Sequence, residues 1–244
     1  MKGKTWAVAL VIVLLSVSVP RSLGKERVEK PFKQQERYTV SLKLEITRKN
    51  QKALQRALSL LLDSGTNGYA TGFVVGDGLV MTAYHVVSGE LSESKKVILG
   101  FSRRDELEVK ISVNGRQANI IRVDKDADLA LLAIEGPRKQ TRVPSFQTAP
   151  ADKEKLFLIA RPRRNKIVSH GVFHGSYAYR GLQYLSVKIE SRDGFSGSPV
   201  YNQKAEVVGI FSGYDWSKQV ALISPGERAQ KLLEDHIADP RSIK

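Results

Sequence analysis

Three short segments carry side chains of the kinds that attack carbonyl groups. Residues 81–87 read Met-Thr-Ala-Tyr-His-Val-Val and set His85 directly after an apolar run, where the end of a strand can hold the imidazole still. Residues 126–132 read Asp-Ala-Asp-Leu-Ala-Leu-Leu, so the Asp128 carboxylate opens a second apolar run and can lie at a buried edge facing that ring. Residues 194–199 read Gly-Phe-Ser-Gly-Ser-Pro and place Ser196 in a tight turn between small residues, where backbone can approach a bound molecule closely. A neutral imidazole can take the proton of a serine hydroxyl as its oxygen attacks an electrophile, and a buried carboxylate can orient the ring and stabilise the imidazolium that forms. Each segment alone is weak ground. Together, in the order His, Asp, Ser and separated by 43 and 68 residues, they describe one nucleophilic site assembled from distant parts of the chain.

The elements that would hold these groups are short and extended. Val40, Leu42, Leu44 and Ile46 alternate with polar neighbours, a period of two that predicts a half-buried strand. Asn50 then caps an expected helix over 50–63, whose apolar face is Ala53, Leu54, Ala57, Leu58, Leu61 and Leu62, with Gly65 ending it. Apolar runs follow at 69–75, 79–83, 96–101, 106–113, 118–123 and 129–134, then at 156–160, 167–173, 182–189, 199–202, 207–212 and 219–223. A dozen such strands with Gly, Asp and Asn at the corners predict barrels or a sandwich rather than alternating strands and helices. The bland stretch 136–151 separates two halves. Ser224, Pro225 and Glu227 form an expected capping box ahead of Ala229, Leu232, Leu233, His236 and Ile237, which fall at helical spacing. His236 is read as a packing or surface residue of that terminal helix.

The amino terminus is basic at Lys2 and Lys4, then uncharged from Trp6 to Val19, and breaks at Pro20. About 14 apolar residues are fewer than the roughly 20 that span a bilayer, so residues 1–24 read as a secretory signal, with an uncleaved anchor as the alternative. Residues 25–37 are polar and read as a linker, and 38–238 as one catalytic domain: a first half at about 38–135, a second at about 152–224, and a helix at 225–238. Export to a periplasmic or extracellular space follows. The absence of cysteine excludes disulfide staples and a lipid-modified cysteine anchor, so stability must come from the core. The formal charge is +14, and removing Lys2, Lys4 and Arg21 with residues 1–24 leaves +11, a balance that favours anionic surfaces. Arg161, Arg163, Arg164 and Lys166 form the one dense basic cluster; a solvated loop is the first reading and weak contact with an anionic surface the second, with no specific nucleic acid expected. His170 and His174 would suit a metal only on a helix, whereas their glycine and β-branched neighbours indicate a strand, so no metal site is assigned.

In type, order and spacing the three segments resemble the T-A-x-H, D-x-A-L-L and G-x-S-G-x-P signatures of the trypsin-like, chymotrypsin-fold serine proteases. Residues 71–74, Thr-Gly-Phe-Val, resemble the strand that precedes the histidine in that family. The lack of cysteine, the short length and the Gly-Phe-Ser-Gly-Ser-Pro wording are most similar to its bacterial HtrA-like branch, and the likeness covers about 38–238. The resemblance implies two perpendicular six-stranded antiparallel β-barrels with the cleft between them, an all-β fold carrying a helical insertion and a C-terminal helix. It also implies peptide-bond hydrolysis through an acyl-enzyme, with His85, Asp128 and Ser196 catalytic, the N–H groups of Gly194 and Ser196 forming an oxyanion hole, and Ser212, Gly213 and Tyr214 walling the substrate site. Partners would be protein or peptide substrates, and no cofactor is implied.

Four features depart from the family pattern. Phe195 stands where zymogen-activated relatives carry an aspartate, which closes that activation route. Ser198 replaces the usual second glycine. The expected helix 50–63 occupies a position used by relatives for assembly and control, which leaves a homo-oligomer open. With the terminal helix at 225–238, the PDZ domain that many relatives append is not expected. Glu190, six residues before Ser196, would favour Lys or Arg side chains if it pointed into the first specificity pocket; equally it could face solvent or pair with Lys188 or Arg192, because local alternation does not fix the register. The rival functions are a non-cleaving exported chaperone on the same fold and a protein that binds polyanions or membrane surfaces.

Overall fold

The computed structural model describes residues 32–49, 66–136, 144–147 and 149–239. The segment 1–24, residues 25–31 of the expected linker and the expected helix 50–63 lie outside the described residues. Within the linker span, Phe32 is 2% exposed and packs against Phe157 with ring centres 4.5 Å apart and the rings tilted, and Lys33–Tyr38 form a short helix, α1.

Twelve strands close into two six-stranded barrels. The first runs β1 (Thr39–Arg48), β2 (Thr66–Gly76), β3 (Leu79–Ala83), β6 (Leu129–Ile134), β5 (Arg116–Asp124) and β4 (Leu107–Val113), returning to β1. The second runs β10 (Pro199–Tyr201), β11 (Val207–Asp215), β12 (Val220–Pro225), β9 (Leu182–Lys188), β8 (Ile167–Tyr179) and β7 (Lys155–Ala160). All pairings inside both barrels are antiparallel, and closure removes the open edges that a flat sheet would expose. α2 (Tyr84–Val87) follows β3, α3 (Glu93–Ile98) follows α2, a 3-10 turn at Pro162–Arg164 joins β7 to β8, and α4 (Gly226–Ala238) closes the domain.

Packing explains the runs that alternate poorly. In β6, Ala130 and Leu132 point into the first barrel, while Leu129 and Leu131 point into a shared core between the barrels. In β7, Leu156, Leu158 and Ala160 fill the second barrel, and Phe157 and Ile159 join the shared core. Strands buried on both faces lose the polar-out pattern and read as continuous apolar segments. Tyr201, Leu232 and Leu233 complete the shared core, so α4 packs over the junction. Each large side chain buried there contributes about 1.5–3 kcal/mol.

Two local expectations are corrected. Residues 96–101 do not form a strand: the Ser92 hydroxyl accepts the Lys95 N–H at 3.4 Å, Glu93 sits in the first turn, and the segment folds as α3 with Ile98 exposed. A cap and a favourable first-turn charge decide a short segment that has no strand beside it to pair with. Ser224 does not cap the terminal helix: it is a buried residue of β12, and the cap position is Pro225, without a side-chain hydrogen bond. Ala229, Leu232 and Leu233 pack inward as expected, whereas Ile237 is exposed.

Candidate active site

The His85 ring is presented at the end of β3 by the first turn of α2, and the turn before β6 brings Asp128 beneath it. Asp128 has φ 53°, a left-handed conformation that a short polar side chain tolerates. The turn is closed by Asp128 N–H donating to the Lys125 carbonyl at 3.2 Å and Ala127 N–H donating to Asp124 Oδ1 at 3.1 Å. Arg228 of α4 grips Asp124 with two hydrogen bonds of 2.8 and 2.7 Å, so the terminal helix braces this turn. The Tyr84 and His85 N–H groups donate to the Asp128 carbonyl at 3.0 Å and to its Oδ1 at 2.8 Å. Asp128 Oδ2 lies 2.8 Å from His85 Nδ1, and His85 Nε2 lies 3.1 Å from Ser196 Oγ. A continuous chain of hydrogen bonds thus joins carboxylate, imidazole and hydroxyl. The Asp128 side chain is 11% exposed and that of His85 38%, so the carboxylate is shielded while the imidazole opens on solvent.

The turn carrying Ser196 is fixed from both barrels. Phe195 N–H donates to the Arg192 carbonyl at 3.2 Å, and Gly194 holds φ 84° at the third position of this turn, as a type II geometry requires. Turning the central peptide over would need a negative φ at Gly194 and would reverse its N–H. Among the described residues, the N–H groups of Gly194 and Ser196 donate to no acceptor. The Ser196 carbonyl accepts from Thr71 N–H at 3.0 Å, the Gly194 carbonyl from the Thr71 hydroxyl at 2.8 Å, and the Phe211 carbonyl from Gly197 N–H at 2.8 Å. Gly197 has φ 82°, and an added Cβ would collide with the Thr71 carbonyl and the Thr82 hydroxyl. Phe195 is fully buried in the second barrel, edge-on to Phe211 at 6.1 Å, so apolar burial anchors the turn where the zymogen-activated pattern uses a charge.

A cleft of about 690 Å³ opens over these groups, lined by His85, Gly194, Ser196 and Phe211 and walled by Gly213 and Tyr214. Trp216, 76% exposed, meets Tyr214 at 4.7 Å and forms its lip. The Ser212 side chain turns inward and donates to Asp128 Oδ2. Behind it, burial raises the Tyr184 phenol above its ordinary range, a shift that hydrogen bonding with Ser212 opposes. Glu190 does not line the cleft: its side chain is 78% exposed and pairs with Arg192 at 3.3 Å, the solvent-facing alternative. His170 and His174 lie on β8, with His170 edge-on to Phe157 at 4.9 Å. Local sequence reading missed the bridging role of Thr71 and the bond from Ser212 to Asp128. The only signal for either was that small hydroxyl residues lie in otherwise apolar runs.

Residues 70–210 match the family model described as a trypsin-like peptidase domain. Glutamyl endopeptidase of Staphylococcus epidermidis is 25% identical over 195 residues, which are 75% of this chain and 68% of that protein. A probable periplasmic serine endoprotease, DegP-like, of Ectopseudomonas mendocina (strain ymp) is 29% identical over 155 residues, 58% of this chain. The match spans only 28% of that relative's length. Among solved structures, the inactive form of a serine-to-alanine mutant of Rv3671c from M. tuberculosis H37Rv aligns with a TM-score of 0.56 at 15% identity, covering 88% of this chain and 93% of that one. Deg5 aligns with a TM-score of 0.57 at 16% identity, covering 85% and 92%. At those identities the two structures speak to the fold alone.

Proposed function

The chain belongs to the trypsin-like peptidase domain family, and on that premise we propose that it is an exported serine endopeptidase in which Ser196 is the nucleophile, His85 the general base and Asp128 the group that orients it. The carrying observation is the chain of hydrogen bonds from Asp128 Oδ2 through the His85 ring to Ser196 Oγ, at 2.8 and 3.1 Å. Ser196 Oγ attacks the scissile carbonyl carbon while its proton passes to His85 Nε2. The Asp128 carboxylate, held by the His85 N–H and by Ser212, stabilises the imidazolium formed beside it. The carbonyl oxygen, now negative, is received by the N–H groups of Gly194 and Ser196, donors typically worth a hundredfold or more each in rate. His85 returns the proton to the leaving amine, and water then repeats the sequence on the acyl-enzyme, releasing the acid and restoring the Ser196 hydroxyl.

The Gly213 and Tyr214 backbone at the cleft wall supports pairing with the acyl half of an extended substrate. Residues 38–238 form the catalytic domain in this reading, and the amino-terminal apolar segment directs export. A fluorophosphonate is attacked at phosphorus by an activated serine hydroxyl, which displaces fluoride. Labelling of the wild-type protein at Ser196, located by mass spectrometry, together with casein cleavage that is lost in Ser196→Ala and His85→Ala, is the expected result. A protein that neither labels nor cleaves, although folded, refutes the reading.

A further inference from the structure

A second cavity, of about 350 Å³, adjoins the catalytic cleft. The two share Tyr69 of β2 as a common wall. Lys43, Arg163 and Arg164 line this second cavity, together with the hydroxyl-bearing Ser41 and Ser112, and among the described residues no acidic side chain does. The Arg163 guanidinium lies over the Tyr69 ring at 5.4 Å, which places one cation directly behind the shared wall.

The four-residue basic cluster is divided by its surroundings. Glu36 of α1 occupies two of its members: its carboxylate pairs with Lys166 at 2.8 Å and its carbonyl accepts from Arg161 at 3.1 Å. Among the described residues no carboxylate pairs with Lys43, Arg163 or Arg164. The loop bearing the two arginines is tied to the catalytic turn, because Arg161 N–H donates at 2.9 Å to the Thr71 hydroxyl that itself holds the Gly194 carbonyl. Pro162 packs so closely on Gly194 that an added Cβ there would approach its Cβ to 2.6 Å.

We propose that the cavity lined by Lys43, Arg163 and Arg164 is a subsite for acidic side chains of the polypeptide substrate on the leaving-group side of the scissile bond. The inference rests on the peptidase reading. The acyl half pairs with Gly213 and Tyr214 of β11, so a chain that continues past Ser196 runs toward the opposite wall, where Tyr69 and the cations stand. Three cations with no carboxylate partner among the described residues, beside hydroxyl donors, match the oxyanions of Glu, Asp or a phosphorylated residue.

Two fluorogenic peptides with the same acyl half test this, one carrying two Glu in its leaving half and the other two Gln. At low ionic strength the Glu peptide is expected to show a kcat/KM about tenfold higher, a gap that narrows toward parity at about 0.5 M salt. The ratio falls toward one in the Lys43→Gln, Arg163→Asn, Arg164→Asn triple variant, where asparagine suits the left-handed backbone at φ 47° and 68°. Should that variant fail to fold, Lys43→Gln alone must lower the ratio. Inorganic phosphate competes with the Glu peptide and leaves the Gln peptide unaffected. Phosphate that instead accelerates both peptides identifies a free-anion effector site and overturns the substrate subsite, as does equal cleavage of both peptides at low salt. If neither is cleaved and Ser196 takes no fluorophosphonate, the peptidase reading has failed. Fluorescence anisotropy of both peptides on the Ser196→Ala protein then decides the cavity without turnover: tighter binding of the Glu peptide supports it and equal binding overturns it.

Discussion

Thr71→Val removes one oxygen and almost no volume from a fully buried position, and the structure lets its effect be worked out. The Thr71 hydroxyl donates to the Gly194 carbonyl at 2.8 Å and accepts the Arg161 N–H at 2.9 Å. Valine leaves both groups unpaired. A buried polar group that loses its partner costs about 1–3 kcal/mol, and because each of these is only partly buried the pair should cost about 2–4 kcal/mol in total. The Gly194 carbonyl and N–H belong to adjacent peptide groups, so releasing the carbonyl loosens the N–H to which the proposed mechanism gives the oxyanion. An oxyanion donor is worth about 10²–10³ in kcat, and its partial misplacement should lower kcat by about 10–100-fold with KM changed little. Thr71→Ser keeps the hydroxyl and should stay within about threefold of wild type by the same hydrogen-bond accounting. Urea unfolding followed by circular dichroism measures the stability. Peptide turnover, normalised to sites titrated with fluorophosphonate, measures kcat. Unchanged midpoint and kcat in Thr71→Val, or an equal loss in Thr71→Ser, would refute the bridge.

Gly197→Ala drives a Cβ into the Thr71 carbonyl and the Thr82 hydroxyl at a left-handed φ. At about 2–5 kcal/mol the melting temperature should fall by roughly 5–15 °C, and a fall under about 2 °C would contradict the packing. The Asp215 carboxyl is held down to about 2, from 3.8, chiefly by the Tyr177 hydroxyl at 2.6 Å and then by Ser217. A depressed carboxylate pKa stabilises the fold above the unfolded value and stops doing so as pH falls through the folded one. Melting curves of wild type and Asp215→Asn should therefore differ most near neutrality and converge between about pH 4 and 2; a constant gap across that window is the failing result. Glu190→Gln removes an exposed pair with Arg192 worth about 0–1 kcal/mol and should leave side-chain preference across a peptide library unchanged. A shift away from Lys and Arg would place Glu190 in the pocket after all.

Much of the fold was legible locally. The alternation of Val40, Leu42 and Leu44 matches their burial in the first barrel. Eleven of the twelve apolar runs after residue 65 coincide with strands β2–β12. The exception, 96–101, failed because apolar content was weighed above the Ser92 cap, and Ser224 failed because a capping pattern says nothing about whether its serine already belongs to a strand. Phe32 gave no periodic signal, since a single anchor under a short helix forms no pattern. At the site, His85, Asp128 and Ser196 could be named from type, order and spacing, whereas Ser212 could be placed only near the cleft. A serine closing an apolar run inside β11 can face either way, and the register shift at Phe211/Gly213 decides the direction.

The order of chemically capable residues, the strand periodicity and the glycines at turns are local properties, so the sequence by itself determined an all-β chain of short strands, with barrels and a sandwich both open until the family resemblance chose the double barrel, and three candidate reacting groups. The hydroxyl of Thr71 on the Gly194 carbonyl, the Arg228 grip on Asp124 and the outward face of Glu190 were decided by tertiary structure alone. Glu190 meets only Arg192, two residues on, but each of the other two contacts depends on segments far apart in the chain meeting at a particular angle. That meeting is set by the packing of one barrel against the other, which leaves no periodic trace along either segment.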